Sequence, residues 1–172
     1  MNIFFESELL KIESYYIIKI PLSSSEELPS RGMVMVQGIL NGISFKAPLE
    51  PDGKGSHWLE VSEELRKEAG LLVGQTVSLS VESINEWFEP EIPDDIMDAI
   101  MKEGLINQWN LITTKAHWEW LRWIRSTQNP QTRHHRIEVA CDKLRKNAKR
   151  PCCFDASRCT VPDISKSGIL ME

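Results

Sequence analysis

The chain of 172 residues is 41% hydrophobic and 26% charged, with nine Gly and nine Pro, a profile of one or two small globular domains that excludes collagen-like, low-complexity and wholly disordered chains. No apolar run approaches the roughly 20 residues that cross a bilayer, and Glu6 and Glu8 stand where a signal peptide needs basic and then apolar residues. The four Cys lie in the last third and no Asn begins a glycosylation sequon, so the expectation is a cytoplasmic protein with reduced thiols and no membrane partner.

From Ile3 to Leu10 and from Tyr15 to Ile20 the chain is rich in aromatic and β-branched residues and stops at Pro21, which predicts two strands ended by a turn. Gly32 to Leu40 alternates in hydropathy, Asn41-Gly42 supplies the residues of a type I′ turn, and Ile43, Phe45, Ala47 and Leu49 alternate after it, so this stretch predicts a hairpin. Beyond the loop Pro51–Gly55, Trp58 to Val61 reads as a short strand running into Ser62, a helix N-cap followed by Glu63 and Glu64. Gly70 ends that helix, and Val77, Leu79 and Val81 mark a further strand with one buried face. About six short strands and one helix in the first ~85 residues imply a small barrel filled by its own side chains. The run Leu59–Arg66, then Ala69-Gly70-Leu71 and Gly74-Gln75-Thr76-Val77, resembles the strand–helix–turn–strand unit of AbrB/MazE-like double-split barrels. Gln75 departs from the usual Asp of that unit, and those proteins build their barrel from two chains, so their DNA binding is not carried over.

The second half predicts helices. Pro93-Asp94-Asp95 opens the first, with Ile96, Ala99 and Ile100 as its apolar stripe up to Gly104. Thr113 or Thr114 caps a second, on which Ala116, Trp120, Trp123 and Ile124 share one face. Asn129-Pro130 opens a third, with Ile137, Ala140, Cys141, Leu144 and Ala148 in line and Pro151 as its stop. Cys152 to Glu172 carries few large apolar residues and reads as an extended tail. The fold class is therefore α+β: a double-split-type barrel domain over 1–90, a helical segment over 91–150 and a tail over 151–172.

Taken together, Gly32-x-Val34-x-Val36-x-Gly38, Asn41-Gly42, Leu65-Arg66, Ala69-Gly70, Pro93-x-Asp95-Ile96, Trp123-Ile124 and Thr132-Arg133-x-x-Arg136-Ile137 resemble the YdeI/OmpD-associated family with the small-barrel domain that often precedes its helical segment. The resemblance spans nearly residues 2 to 150. It implies a barrel plus a helical module, labels of bacteriocin protection or stress, and no catalytic residues.

Charge divides the chain more sharply than its net of −5 suggests. Residues 1–90 hold seven Lys/Arg against fourteen Asp/Glu, whereas residues 115–150 hold ten Lys/Arg against three acids. Such asymmetry has two readings: the basic segment meets an external anion, or it docks on acidic residues of its own chain. On the second helix Lys115, Trp118, Arg122 and Arg125 recur at helical spacing opposite the apolar stripe, and Arg136 and Lys143 extend the set on the third. Cations interleaved with an indole can hold phosphates or stack a base, and the same pattern also arises when Arg stems cover a Trp. These six residues are the candidate partner-binding surface for nucleic acid or an acidic protein.

Other chemistry is weakly supported. Gly53-Lys54-Gly55-Ser56 resembles a phosphate loop, but Pro48 stands where its first Gly belongs and Gly55 where Ser or Thr must follow the Lys. Cys152-Cys153-x5-Cys159 makes a poor zinc set because adjacent cysteines rarely fit one tetrahedron. His57, His117, His134 and His135 lack triad or ligand spacing and read as surface or hydrogen-bonded residues. The expectation is a non-enzymatic binding module with no cofactor and no metal. The alternatives are a small-molecule-binding protein or enzyme with a groove between barrel and helices, lined by Trp58, Trp87 or Trp109, and a stress protein acting by self-association.

Overall fold

The computed structural model describes residues 1–152 and 154–172, so Cys153 lies outside the described residues. The chain divides into two compact units: residues 1–86 with 156–159 and 163–172, and residues 87–155 with 160–162.

The first unit is a closed barrel of six strands: β1 (Ile3–Ile12), β2 (Tyr15–Lys19), β3 (Val34–Leu40), β4 (Ile43–Pro51), β5 (His57–Val61) and β6 (Thr76–Ser83), in the order β1-β2-β5-β4-β3-β6. All of its pairings are antiparallel, and β1 closes on β6 with Phe5 opposite Leu79. Closure occurs within one chain, unlike the two-chain barrels that the strand–helix–turn–strand unit resembles. Alternation along β6 buries Val77, Leu79 and Val81, which meet Leu9, Ile18, Val36, Leu40, Leu49 and Leu59 in the interior. The β3–β4 hairpin turns on Asn41 (φ 47°) and Gly42 (φ 85°), the positive values a type I′ turn requires. Ser62 caps α2 (Glu63–Glu68) by accepting from the Leu65 amide at 3.1 Å. At Gly38 the crossing of β3 over β6 is so close that a Cβ would stand 2.0 Å from the Ser80 carbonyl oxygen.

Between β2 and β3 the chain forms α1 (Leu22–Ser25) and a loop that the sequence pattern did not reveal. Buried His57 on β5 holds it. Its Nδ1 accepts from Ser25 Oγ at 2.6 Å and its Nε2 donates to the Gly32 carbonyl at 2.7 Å, an arrangement that a neutral imidazole satisfies. Arg31 adds bonds to the carbonyls of Ser25, Leu28 and Gly55. Burial, and secondarily the Arg31 charge, push the His57 imidazole below its ordinary range.

The tail is folded rather than extended. β7 (Ser165–Lys166) pairs with β8 (Ile169–Leu170), Leu170 N donates to the Asp52 carbonyl, and Gly168 lies against Gly53 so closely that a Cβ on Gly53 would clash with its oxygen. Buried Cys159, Ile164 and Leu170 supply the apolar anchors of this return.

The second unit contains α3 (Asp94–Lys102), α4 (Ile106–Leu111), α5 (Thr114–Arg125) and α6 (Pro130–Arg145). Gly104 (φ 68°) turns the chain from α3 into α4, a single short helix absent from the sequence expectation. Thr113 caps α5 and Asn129 caps α6 through its side-chain oxygen, both as the sequence predicts. Left-handed Asn147 ends α6 ahead of Pro151, the expected stop. Ile96, Ile100, Trp109, Trp120, Leu121, Ile124, Ile137 and Leu144 make the core. Trp123 is only half-buried, edge-on to Trp120 at 5.9 Å. Among the described residues no helix is long and apolar enough to cross a membrane.

Two expectations follow for the barrel. Gly38→Ala forces β3 away from β6 and should cost about 2–3 kcal/mol, read as a lower urea midpoint. The native state holds His57 neutral while the unfolded chain takes up a proton below pH ~6.5, so unfolding free energy is flat above that pH and declines as the pH falls through it. In His57→Gln this decline is lost, which a series of urea melts between pH 5 and 7.5 resolves.

Candidate functional site

The six residues of the expected basic face do not share one solvent-exposed surface. Arg122 is only 2% exposed, with its guanidinium over the Phe154 ring at 5.2 Å. Trp118 is half-buried and donates from Nε1 to the Phe88 carbonyl at 2.6 Å. Arg125 donates to Thr160 Oγ1 at 3.2 Å, and Arg136 caps the end of α5 by donating to the Trp123 carbonyl at 2.9 Å and to Ser126 Oγ at 2.8 Å. The face opposite the apolar stripe of α5 is thus covered by Phe88, Phe154 and Thr160 of the same unit, which the helical spacing of α5 alone does not reveal. Lys115 stays exposed beside the Trp87 ring, and Lys143 is half-buried.

The hairpin of α5 and α6 gathers a different set of cations. Trp120 Nε1 donates to the Lys149 carbonyl at 3.2 Å, and Arg150 makes a two-pronged pair with Glu119 at 2.7 and 2.5 Å. These bonds set the chain just beyond α6, with Lys146, Lys149 and Arg150, against the middle of α5, and Lys115 lies one turn before Glu119 on that helix. Arg150 is matched by Glu119 and Lys146 by Asp142. Lys115, Lys143 and Lys149 have no bonded carboxylate among the described residues.

Much of the positive charge of 115–150 is met inside the unit, which carries eleven Lys/Arg against ten Asp/Glu. Arg133 forks onto Asp95 at 2.7 and 2.9 Å and holds that carboxyl below its ordinary range, and Arg145 donates to Glu103 at 2.6 Å. The residues involved form two i, i+4 rows: Asp95, Ala99, Glu103 along α3, and Arg133, Ile137, Cys141, Arg145 along α6. Acids end one row and bases end the other, with apolar residues between. Sequence reasoning passed over these rows because Asp95 reads as a cap and Cys141 as core. The complementary spacing is the signal that would have found them.

Between the rows runs a groove of about 620 Å³. Ala99, Ile137 and Cys141 line its apolar part and the two ion pairs its ends, with Lys102 and the His134–Glu138 pair along the sides. Burial pushes the Cys141 thiol up, so it serves as an apolar surface rather than a nucleophile.

The other candidates resolve differently. In the loop after β4, Asp52 Oδ1 accepts from the amides of Lys54 (2.7 Å) and Ser56 (3.0 Å), so the N–H groups that a phosphate loop would offer are already bonded. Trp58 is fully buried with its Nε1 donating to the Pro51 carbonyl, and buried Trp109 stacks on His117 at 4.3 Å, so these two are core residues and not the lining of an open groove. His117 bonds Glu89 through Nδ1 at 2.9 Å and the Trp109 carbonyl through Nε2 at 2.7 Å. Thr114 Oγ1 donates to the same Glu89. Among the described residues no group of three His, Cys, Asp or Glu converges as a metal set, and Cys153, part of the weak zinc pattern, is outside them.

Residues 5–81 match the model of a domain of unknown function, DUF1905, and residues 89–147 match the model described as bacteriocin-protection, YdeI or OmpD-associated. No curated protein matches the chain.

Exposure separates the cations by their tolerance to charge reversal. Arg122→Glu puts a carboxylate into a closed site and should lower stability by about 3–5 kcal/mol, whereas Lys115→Glu should change it by under about 1 kcal/mol. Urea denaturation of the two variants measures the contrast.

Proposed function

From a chain that carries a DUF1905 domain and, after it, a YdeI/OmpD-associated domain, we infer a binding module whose helical unit engages an anionic partner at the open end of the α5–α6 hairpin. The observation that carries this reading is that Lys115, Lys143 and Lys149 have no bonded carboxylate among the described residues, with Lys143 and Lys149 at and just beyond the end of α6, flanking Lys146 in sequence and followed by Arg150. Cations at the C-terminal end of α6 also complement the helix dipole there and stay solvated, which favours electrostatic capture over a tightly packed interface. Within the original set of six, Lys115 and Lys143 are the contact residues. Trp118, Arg122, Arg125 and Arg136 build the surface from below, through their bonds to Phe88, Thr160 and Trp123 and the Arg122–Phe154 contact.

A partner held this way is recognised by charge and not by base edges. The barrel unit, with its excess of acids, repels the same partner and restricts it to the helical end. A bacteriocin-protection role, the wording of the family description, is compatible with a protein that works by binding.

Fluorescence anisotropy with labelled duplex DNA and with labelled polyglutamate tests the reading. Lys143→Glu combined with Lys149→Glu should weaken binding at least about tenfold while stability falls by no more than about 1–2 kcal/mol, the loss of favourable charge at the end of α6, read from the urea midpoint. For duplex DNA with three phosphates neutralised, log affinity should fall against log salt with a slope of about −3. Equal binding by the double variant and the wild type, or no binding of either polyanion at ~20 mM salt, overturns the assignment.

A further inference from the structure

We propose that the groove between α3 and α6 is a second, independent site that binds a small linear monocarboxylate, its chain on Ala99, Ile137 and Cys141 and its carboxylate at Lys102. Shape comes first. The volume of about 620 Å³ lies within the range of small-molecule sites, which are apolar clefts with a few convergent polar groups. Its length is set by the two pairs that bridge the helices: Asp95 and Glu103 lie about 12 Å apart along α3, the reach of a saturated chain of roughly ten carbons.

The distribution of charge chooses the headgroup. At the Asp95 end the Arg133 fork is matched by both carboxylate oxygens, so that end offers no excess charge to a ligand. His134 and Glu138 pair with each other along the side. At the other end Arg145 is shared between Glu103 at 2.6 Å and Asp142 at 3.9 Å, and Lys102 is exposed with no bonded carboxylate among the described residues. Lys102 is therefore the lining cation with no carboxylate bonded to it, and it sits one residue from Glu103. A carboxylate there forms a charge-assisted bond with the Lys102 ammonium, while a cationic headgroup would have to compete with Lys102 and Arg145.

The interior chooses the tail. Between the pairs the two rows present a methyl, a branched aliphatic side chain and a thiol, and the polar groups along the sides, His134 and Glu138, are paired with each other. An unbranched aliphatic chain loses least when it lies along such a strip. The lysines of the hairpin end do not line this groove, so their charge reversal leaves it intact.

Decanoate is the probe, compared by titration calorimetry with butyrate and decyltrimethylammonium. Decanoate should bind one to one, with the short acid and the cationic analogue at least about tenfold weaker. Lys102→Glu changes an exposed residue, so it should keep the circular dichroism spectrum and urea midpoint while weakening decanoate at least about tenfold. Ala99→Phe fills the groove and should abolish the binding. Absence of decanoate binding, equal affinity for decyltrimethylammonium, or wild-type affinity in folded Lys102→Glu each overturns the proposal.

Discussion

Two guanidinium–carboxylate pairs, Arg133 with Asp95 and Arg145 with Glu103, bridge α3 and α6, and the groove between those helices depends on that pairing. Half-exposed pairs of this kind contribute at most about 1 kcal/mol each, so the stability of the unit comes from its core of Trp109, Trp120, Ile100, Ile137 and Leu144. What the pairs supply is register. Apolar surfaces of similar size slide past one another at little cost, whereas a displaced Arg133 loses both carboxylate oxygens at once. With the rows held in register, the groove stays open between its two closed ends, and Asp95 and Glu103 are committed to α6. The cations left without a bonded carboxylate among the described residues then include Lys102 on α3 and Lys143 and Lys149 at the end of α6.

The same accounting explains why local charge density was a poor guide to an exposed surface. Ten Lys/Arg against three acids over residues 115–150 is a property of a segment, but a cation is available to a partner only after its own fold has taken what it needs. Arg136 is spent on the Trp123 carbonyl and the Ser126 hydroxyl at the end of α5, Arg125 on Thr160, and Arg122 on the closed space beside Phe154. Arginine suits these tasks because its planar fork bonds several carbonyls and stacks on rings, and lysine does not. The cations that remain free for a partner are accordingly lysines.

The barrel follows a different logic. Closure removes every sheet edge, and the cost appears as one crossing so tight that only glycine fits, at Gly38 over Ser80. The loop between β2 and β3, which has no regular pairing of its own beyond α1, is held by buried polar bonds from His57 and Arg31. Those bonds are satisfied at every end, as a buried polar network must be, and they tie the loop to the protonation state of one imidazole.

Much was legible in the sequence alone. Strands with period-two burial, the Asn41-Gly42 turn, the caps at Ser62, Thr113 and Asn129, and the Pro93 start of α3 all follow from local rules, because each is decided by residues within a few positions of one another. The order of barrel then helices was legible for the same reason, and so was the family. What the local rules could not reach were events between distant residues: Phe154 beside Arg122, Glu119 taken by Arg150, the return of the tail onto Gly53, the burial of Trp58 and Trp109, and the meeting of the 95–99–103 and 133–137–141–145 rows. Helical spacing states which residues share a face, and only the packing of one element on another decides whether that face is solvent, core or cleft. Sequence periodicity therefore determined the elements and their apolar sides, while exposure, ion pairing and the two candidate sites were decided by tertiary contacts, since desolvation and Coulomb energy depend on what stands opposite a side chain rather than on what precedes it.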